Sequence, residues 1–401
     1  MRLNTSMLSV VACLLLIIKG NEAFTILHPD KDPLASLSKE EILNDTLEDN
    51  FDSTLISKSN RPVGANEPTG KDSSFFKKIA AYNVSNENNI VQGALGFSNK
   101  GRLINAYYFP GITGKRAMVI GGVHGSELSA IEVANQLVTQ LQQGAKPYYS
   151  VIVIPCLFPD NAASAINNAA LIGTVNNIGR YSCDTAIDPN RQMPTPGKSF
   201  DVNNPTDYFE RVIEHENKLL LSLISQYRPE RLVNLHAIRN ISLAGIYADP
   251  RADHNGYALG FEEDSLLAIS MAKYISSHGG YVPGNRLHDH PSALYYSDPL
   301  PAPKGFFQKR KIAGSSLCRH RGDGISLGTW GSTAVEDNEH PQNNRDAIQL
   351  ITAEFPGSKR PLDYPIKTQR EYMQMQVQLY AASIVHIFLQ ADKPLSEIAH
   401  N

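Results

Sequence analysis

The chain has 401 residues, of which 42% are hydrophobic and 19% charged, with a formal net charge of -3. That is ample apolar material for a large core, and length alone allows one to three domains. With no basic run and no basic surplus, the composition argues against a nucleic-acid partner.

Arg2 gives a short positive start, and Leu8 to Ile18 (LSVVACLLLII) is continuously apolar. Gly20 and Ala23 follow as small residues suited to cleavage. This layout predicts a secretory signal peptide over residues 1–23, too short to span a bilayer. The mature chain is therefore expected to be exported, secreted or periplasmic, with no membrane attachment. Residues 24–80 are rich in Asp, Glu, Lys, Ser and Asn and read as a polar linker or pro-segment, poorly ordered in isolation, with helical character only at Ser38 to Leu47.

From residue 85 to 395 the text is that of one α/β domain. Arg116 to Gly122 reads as a buried strand. Ser126 to Gln143 carries Leu128, Ile131, Val133, Leu137 and Leu141 at helical spacing and stops at Gly144. A strand at Tyr149 to Leu157, a helix at Tyr208 to Tyr227, strands at Arg231 to Leu235 and Ile348 to Phe355, and a helix at Arg370 to Gln390 follow. The alternation predicts a mixed, mostly parallel central β-sheet flanked by helices on both faces, with ligands beyond the carboxyl ends of its strands. Cys13 would leave with the signal. Cys156 lies in an apolar run, which makes Cys183 with Cys318 the expected disulfide in an oxidising compartment. Asn44, Asn83 and Asn240 head N-x-S/T sequons.

His124 and Glu127 directly follow the first strand in GGVHGSE. An imidazole nitrogen and a carboxylate oxygen three residues apart at a strand-to-helix junction suit a metal such as zinc. Alone this pair recurs by chance, and a lone His is usually structural. Three further features change the weighting. His236 ends a buried strand, where a distant third ligand can join. Asp188-Pro189-Asn190-Arg191 sets an amide beside a guanidinium able to grip a carboxylate. Glu354 ends another buried strand, where a charge must be paired, metal-adjacent or at an edge. Two His and one Glu leave a fourth zinc position open, and a nearby carboxylate can take a proton from water.

These motifs resemble the zinc metallocarboxypeptidase family. The resemblance runs through Gly96 to Ile104 (GFSNKGRLI), GGVHGSE, Phe158 to Asn161 (FPDN), DPNR, the strand ending at His236, and AEFP, over roughly residues 90 to 390. It implies His124, Glu127 and His236 as ligands of one Zn2+, Glu354 as general base, and Asn190 and Arg191 as the clamp for a substrate carboxylate. Arg180 is at a suitable distance to polarise the scissile carbonyl. The implied activity is hydrolysis of a peptide or amide bond next to a carboxylate. Cell-wall peptide amidase, N-acyl amino acid deacylase and a non-catalytic binding module stand as alternatives.

The sequence also departs from the family. The family's digestive members carry a Tyr about twenty residues before the base, where this chain reads Gly328-Thr329-Trp330-Gly331-Ser332. Tyr295 and Tyr296 lie far upstream. The stretch between His236 and Glu354 is long, and its clusters at Arg286 to His290 and Arg319 to Asp323 are candidates for a specificity pocket or a solvated loop.

Overall fold

The computed structural model describes residues 90–174, 177–181, 187–260, 262–287 and 323–391. The expected signal peptide and linker, the Cys183–Cys318 pair, Tyr295, Tyr296, His288, His290 and Arg319 to Gly322 lie outside the described residues. No helix among the described residues is long and apolar enough to cross a membrane.

A seven-stranded mixed sheet forms the centre, in the order β1-β2-β4-β3-β5-β9-β6. Its strands are β1 (Val91–Phe97), β2 (Leu103–Phe109), β3 (Arg116–Ile120), β4 (Ser150–Ile154), β5 (Arg231–Ile238), β6 (Gly245–Asp249) and β9 (Gln349–Pro356). A separate small ribbon pairs β7 (Arg251–Ala252) with β8 (Ala258–Gly260). β4, β3, β5 and β9 are parallel neighbours, while β2 and β6 run antiparallel on either flank. Since β1 is antiparallel to β2, it shares the direction of the central four. The sheet is thus mostly parallel, as the sequence predicts.

The central strands are apolar on both faces because both are covered. Ala117, Val119, Val151, Val153, Val233, Leu235, Ile351 and Ala353 feed one core. There they meet helices α1 (Leu128–Gln143), α4 (Glu262–Ser277) and α6 (Lys367–Ser383). The alternate positions Met118, Ile120, Ile152, Ile154, Leu232 and Leu350 feed the second core. That face is covered by α3 (His215–Tyr227) and the short α5 (Leu327–Gly331). Helix α2 (Pro159–Ile166) contributes a smaller third cluster with Leu128 and Ile172.

Several boundaries differ from the sequence reading for local reasons. The helix expected from Tyr208 begins at His215. Upstream, Asp207 Oδ1 accepts from the backbone N–H groups of Phe209 and Arg211, and Glu210 takes a left-handed φ of 64°. These bonds spend the amides on a tight turn rather than on a helix. The closing helix starts at Lys367 and passes into a π turn at Ile384–Phe388. β5 and β9 each run two residues beyond His236 and Glu354, so both side chains project from within paired strands. β1 and β2, the edge strand β6 and helix α4 carry no strong periodic signal and were not legible as elements.

Two glycines shape the end of β3. Gly122 adopts φ +62°, and its carbonyl accepts from Phe158 N–H while that of Gly121 accepts from Leu157 N–H. A side chain at Gly125 would meet the backbone of Asn161 and Ala162 at 2.5 and 2.3 Å. The turn is therefore pressed against the start of α2, and only glycine permits that approach.

Candidate metal centre

Three ligand-competent atoms converge at the carboxyl ends of the parallel strands. His124 lies in the turn after β3, Glu127 occupies the N-cap of α1, and His236 lies on β5. One ligand atom from each falls within 4.8 Å of the others, and all three residues are no more than 4% exposed. Glu127 makes no capping bond to its own helix. Its carboxylate faces the two imidazoles instead: Oε1 lies 2.9 Å from His124 Nδ1 and Oε2 lies 2.9 Å from His236 Nδ1. Oε2 also accepts from Ala237 N–H at 3.0 Å.

The donor set fits a zinc-type cation. Two imidazole Nδ1 atoms and one carboxylate point at one spot, and the opposite nitrogen of His124 has an acceptor of its own. Its Nε2 lies 2.7 Å from Asp188 Oδ1. That carboxylate–histidine pairing fixes ring orientation and leaves Nδ1 as the coordinating atom. The sequence reading named Asp188 only as part of DPNR and gave it no role. A usable signal was present, because a buried His that is a candidate metal ligand needs an acceptor behind it. Asp188 is itself held in place by accepting from Asn190 N–H at 2.9 Å.

The electrostatics follow from this arrangement. Burial pulls His124 down, but Glu127 and Asp188 on either side outweigh it and raise the imidazolium to about 9. Burial pushes Glu127 up, yet His124 and His236 hold it well below the usual carboxylate range. Asp188 likewise resists its burial and drops to about 2 beside His124, Arg180 and Arg191. The centre is therefore a compact array of opposite charges, in which a proton on His124 occupies the role a cation would take.

Asp188→Asn is expected to weaken metal affinity about 10–100-fold while leaving the fold intact, since outer partners of ligating His contribute on that scale. Competition with a chromophoric chelator reads this directly. An unchanged affinity would show that Asp188 does not support His124.

Glu354 stands directly across from His236 in the parallel β5–β9 register. It is partly accessible rather than sealed. Burial pushes its carboxyl above the usual range, with Glu127 adding to the rise and His236, His124 and Arg180 opposing it. A carboxylate in that state is suited to accept and return a proton.

The cationic groups lie on the loops above. Ser126 N–H donates to Gly179 O at 3.1 Å, which brings the 177–181 segment over the turn after β3. Arg180 then contacts Glu127 Oε1 at 2.7 Å and Asp188 Oδ2 at 3.7 Å. Its guanidinium is thus at the centre, engaged with carboxylates. Asn190 Oδ1 accepts from Leu327 N–H at 3.0 Å, and its Nδ2 lies 3.3 Å from His236 Nε2. Arg191 donates to Asn190 O at 2.8 Å. All seven residues named from the sequence are brought to this end of the sheet.

No family model matches this sequence, and no curated protein matches it. Among solved structures the chain is similar to a carboxypeptidase A from Helicoverpa armigera, at 14% identity and a TM-score of 0.42, covering 80% of this chain and 76% of that one. It is also similar to a metallo-carboxypeptidase from Pseudomonas aeruginosa, at 14% identity and a TM-score of 0.40, covering 77% and 67%. A murein-tripeptide amidase from Escherichia coli O157 gives 17% identity and a TM-score of 0.35, covering 76% and 93%.

The GTWGS segment proves to be structural. Trp330 is buried, and its indole N–H donates to Lys198 O at 3.1 Å. Arg345 stacks on that indole at 4.7 Å and donates to the carbonyls of Trp330, Gly331 and Thr333. Tyr247 on β6 comes within electrostatic reach of Glu354. Its hydroxyl donates to Leu243 O at 2.7 Å. Arg286, from the candidate pocket cluster, is exposed and also influences Tyr247. Cys156 is a free thiol that burial pushes up to about 12, so it stays a neutral packing group.

Proposed function

We propose that the protein is a zinc-dependent hydrolase of the metallocarboxypeptidase type, cutting a peptide or amide bond next to a carboxylate. The observation that carries this reading is the convergence of His124, Glu127 and His236 beside Glu354, with Asn190 and Arg191 on the adjoining loop.

His124 Nδ1, Glu127 and His236 Nδ1 would hold the ion. Zinc in such a three-ligand site supplies Lewis acidity and acidifies water held beside it. Glu354 takes the proton of a water as that water adds to the scissile carbonyl, an acceptance its raised affinity for a proton favours, and returns the proton to the leaving amine as the C–N bond breaks. Arg191 and Asn190 receive the substrate's carboxylate, Arg191 by its guanidinium fork. Asn190 Oδ1 is committed to Leu327 N–H, so its Nδ2 group, which lies 3.3 Å from His236 Nε2, is the donor left for the ligand. Arg180 leaves Glu127 for the developing negative charge on the scissile carbonyl, where a fixed cation stabilises the transition state.

The test compares an N-acylated dipeptide with its C-terminal amide, using zinc-loaded protein. The free acid is expected to be cleaved about 100-fold or more faster, because amidation leaves the Arg191 guanidinium unpaired. A chelator should abolish both rates. Zinc-dependent cleavage indifferent to amidation would remove the clamp from the mechanism, and no cleavage of any acid substrate would remove the hydrolase.

A further inference from the structure

The loop that carries Asn190 and Arg191 is held from behind by groups that the proposed mechanism leaves unused. Pro189–Arg191 forms a single 3-10 turn. A turn this short leaves carbonyls that need partners from elsewhere. Asn217 on α3 is fully buried, and its Nδ2 donates to Pro189 O at 2.8 Å and to Gln192 Oε1 at 3.0 Å. Arg211 Nη2 donates to Arg191 O at 2.9 Å. The same nitrogen donates to Asp323 O at 2.9 Å. Outside the sheet, the placement of this loop depends on such single bonds.

Arg211 is itself firmly placed. Its Nε donates to Asp207 Oδ2 at 2.6 Å, and the two side chains are 8% and 0% exposed. Its guanidinium lies 5.2 Å from the Phe209 ring. A planar fork can serve a carboxylate on one edge and carbonyls on another without turning. The turn that delays the start of α3 is centred on the same pair. Asp207 Oδ1 accepts from Arg211 N–H, Asp207 N–H donates to Arg211 O, both at 2.9 Å, and Glu210 between them is left-handed. A left-handed residue with a side chain is costly and persists only where surrounding bonds over-determine it. Here those bonds aim Arg211 at the carbonyl of Arg191.

Gly324 closes on the same carbonyl. It adopts φ +140°, and a side chain there would overlap Arg191 O and come within 2.9 Å of Arg211 Nη2. The Arg191 side chain, by contrast, keeps accessible surface. Fixing the peptide plane of a residue fixes the direction in which its side chain leaves the backbone, and a binding group is only as well aimed as the bonds behind it.

We propose that Arg211 is the positioning residue of the carboxylate clamp: by holding the Arg191 carbonyl it sets the line along which the Arg191 guanidinium meets the substrate's carboxylate. This inference rests on the hydrolase reading and deepens its binding site. Arg211 touches no reacting atom, and its removal acts through Arg191.

The experiment is a double-mutant cycle on zinc-loaded protein, reading kcat and KM for an N-acylated dipeptide with a free carboxylate. Arg211→Met keeps an unbranched stem beside Phe209 and removes the donors. It is expected to raise KM about 10-fold with kcat held within about twofold, the pattern of lost binding rather than lost chemistry. In an Arg191→Ala background the same substitution should add nothing, since a residue that acts through Arg191 has nothing left to aim. Arg211→Lys, which keeps a cationic donor beside Asp207, should recover part of the loss. Gly324→Ala disturbs the same carbonyl with Arg211 unsubstituted and should also raise KM, so the outcome does not hang on one variant folding. An unchanged KM in Arg211→Met, or a rise that persists in full in the Arg191→Ala background, would overturn the positioning role and leave the hydrolase standing. If wild type cleaves no acid substrate, the hydrolase reading fails, and the same cycle read by calorimetry with an N-acetylated amino acid decides the positioning role. A loss of affinity in Arg211→Met that vanishes in the Arg191→Ala background supports it. Equal affinity across the four proteins, or no binding by wild type, overturns it.

Discussion

Glu354→Gln is expected to retain bound zinc at wild-type stoichiometry and to lose about 10²- to 10⁴-fold in kcat, the range general acid–base catalysis contributes. The substitution keeps the size and hydrogen-bonding outline of the side chain and removes only its ability to take and return a proton. Glu354 is not among the converging metal donors, so metal content and rate should separate. Backbone pairing on both sides of β9 holds position 354, which keeps the variant folded. Metal analysis and steady-state kinetics on one preparation decide the matter. A variant as fast as wild type would show that another group moves the proton, and a variant without zinc would show that Glu354 belongs to the metal site itself.

The second large effect is expected at His236. Zinc content should fall from about one per chain to near zero in His236→Ala, since two remaining ligands cannot hold the ion at a site built for three. Removing the ion from wild type has a pH signature as well. His124 rises from 6.5 to about 9 because Glu127 and Asp188 overcome its burial. A raised imidazole adds stability that is fully present below 6.5 and is lost as pH climbs through about 9. The chelated protein should therefore lose melting temperature across that window. The zinc-loaded protein should not follow it, because the ion replaces the His124 proton. Parallel melting curves with and without chelator would show that no ion displaces that proton.

Legibility from sequence followed how local each feature is. His124 and Glu127 could be found because the turn that aims them is written in the adjacent glycines. His236 and Glu354 could be found because a polar residue near the end of an apolar run is conspicuous. That the two stand side by side across β5 and β9 depends on strand order, which the sequence only suggests through its alternation of elements. The contact of Asp249 with Thr352 was invisible for the same reason. It spans 103 residues of chain, and β6 lies beyond β9 in the sheet although it precedes it in sequence. The misplaced start of α3 came from short-range competition, where Asp207 diverts amides that periodicity alone would assign to a helix.

β9 is hydrogen-bonded to β5 from Gln349 to Pro356 and to β6 from Leu350 to Glu354. A strand laced on both margins opens only when the sheet itself opens, so its amides belong to the slowest class to exchange with solvent. The proposed proton-transfer group, Glu354, thus rides on a stiff rail, whereas Arg180, Asn190 and Arg191 rest on connecting loops anchored by a few bonds. On the proposed function, adjustment to an arriving substrate falls to those loops, and the position of Glu354 serves as the fixed reference against which they settle.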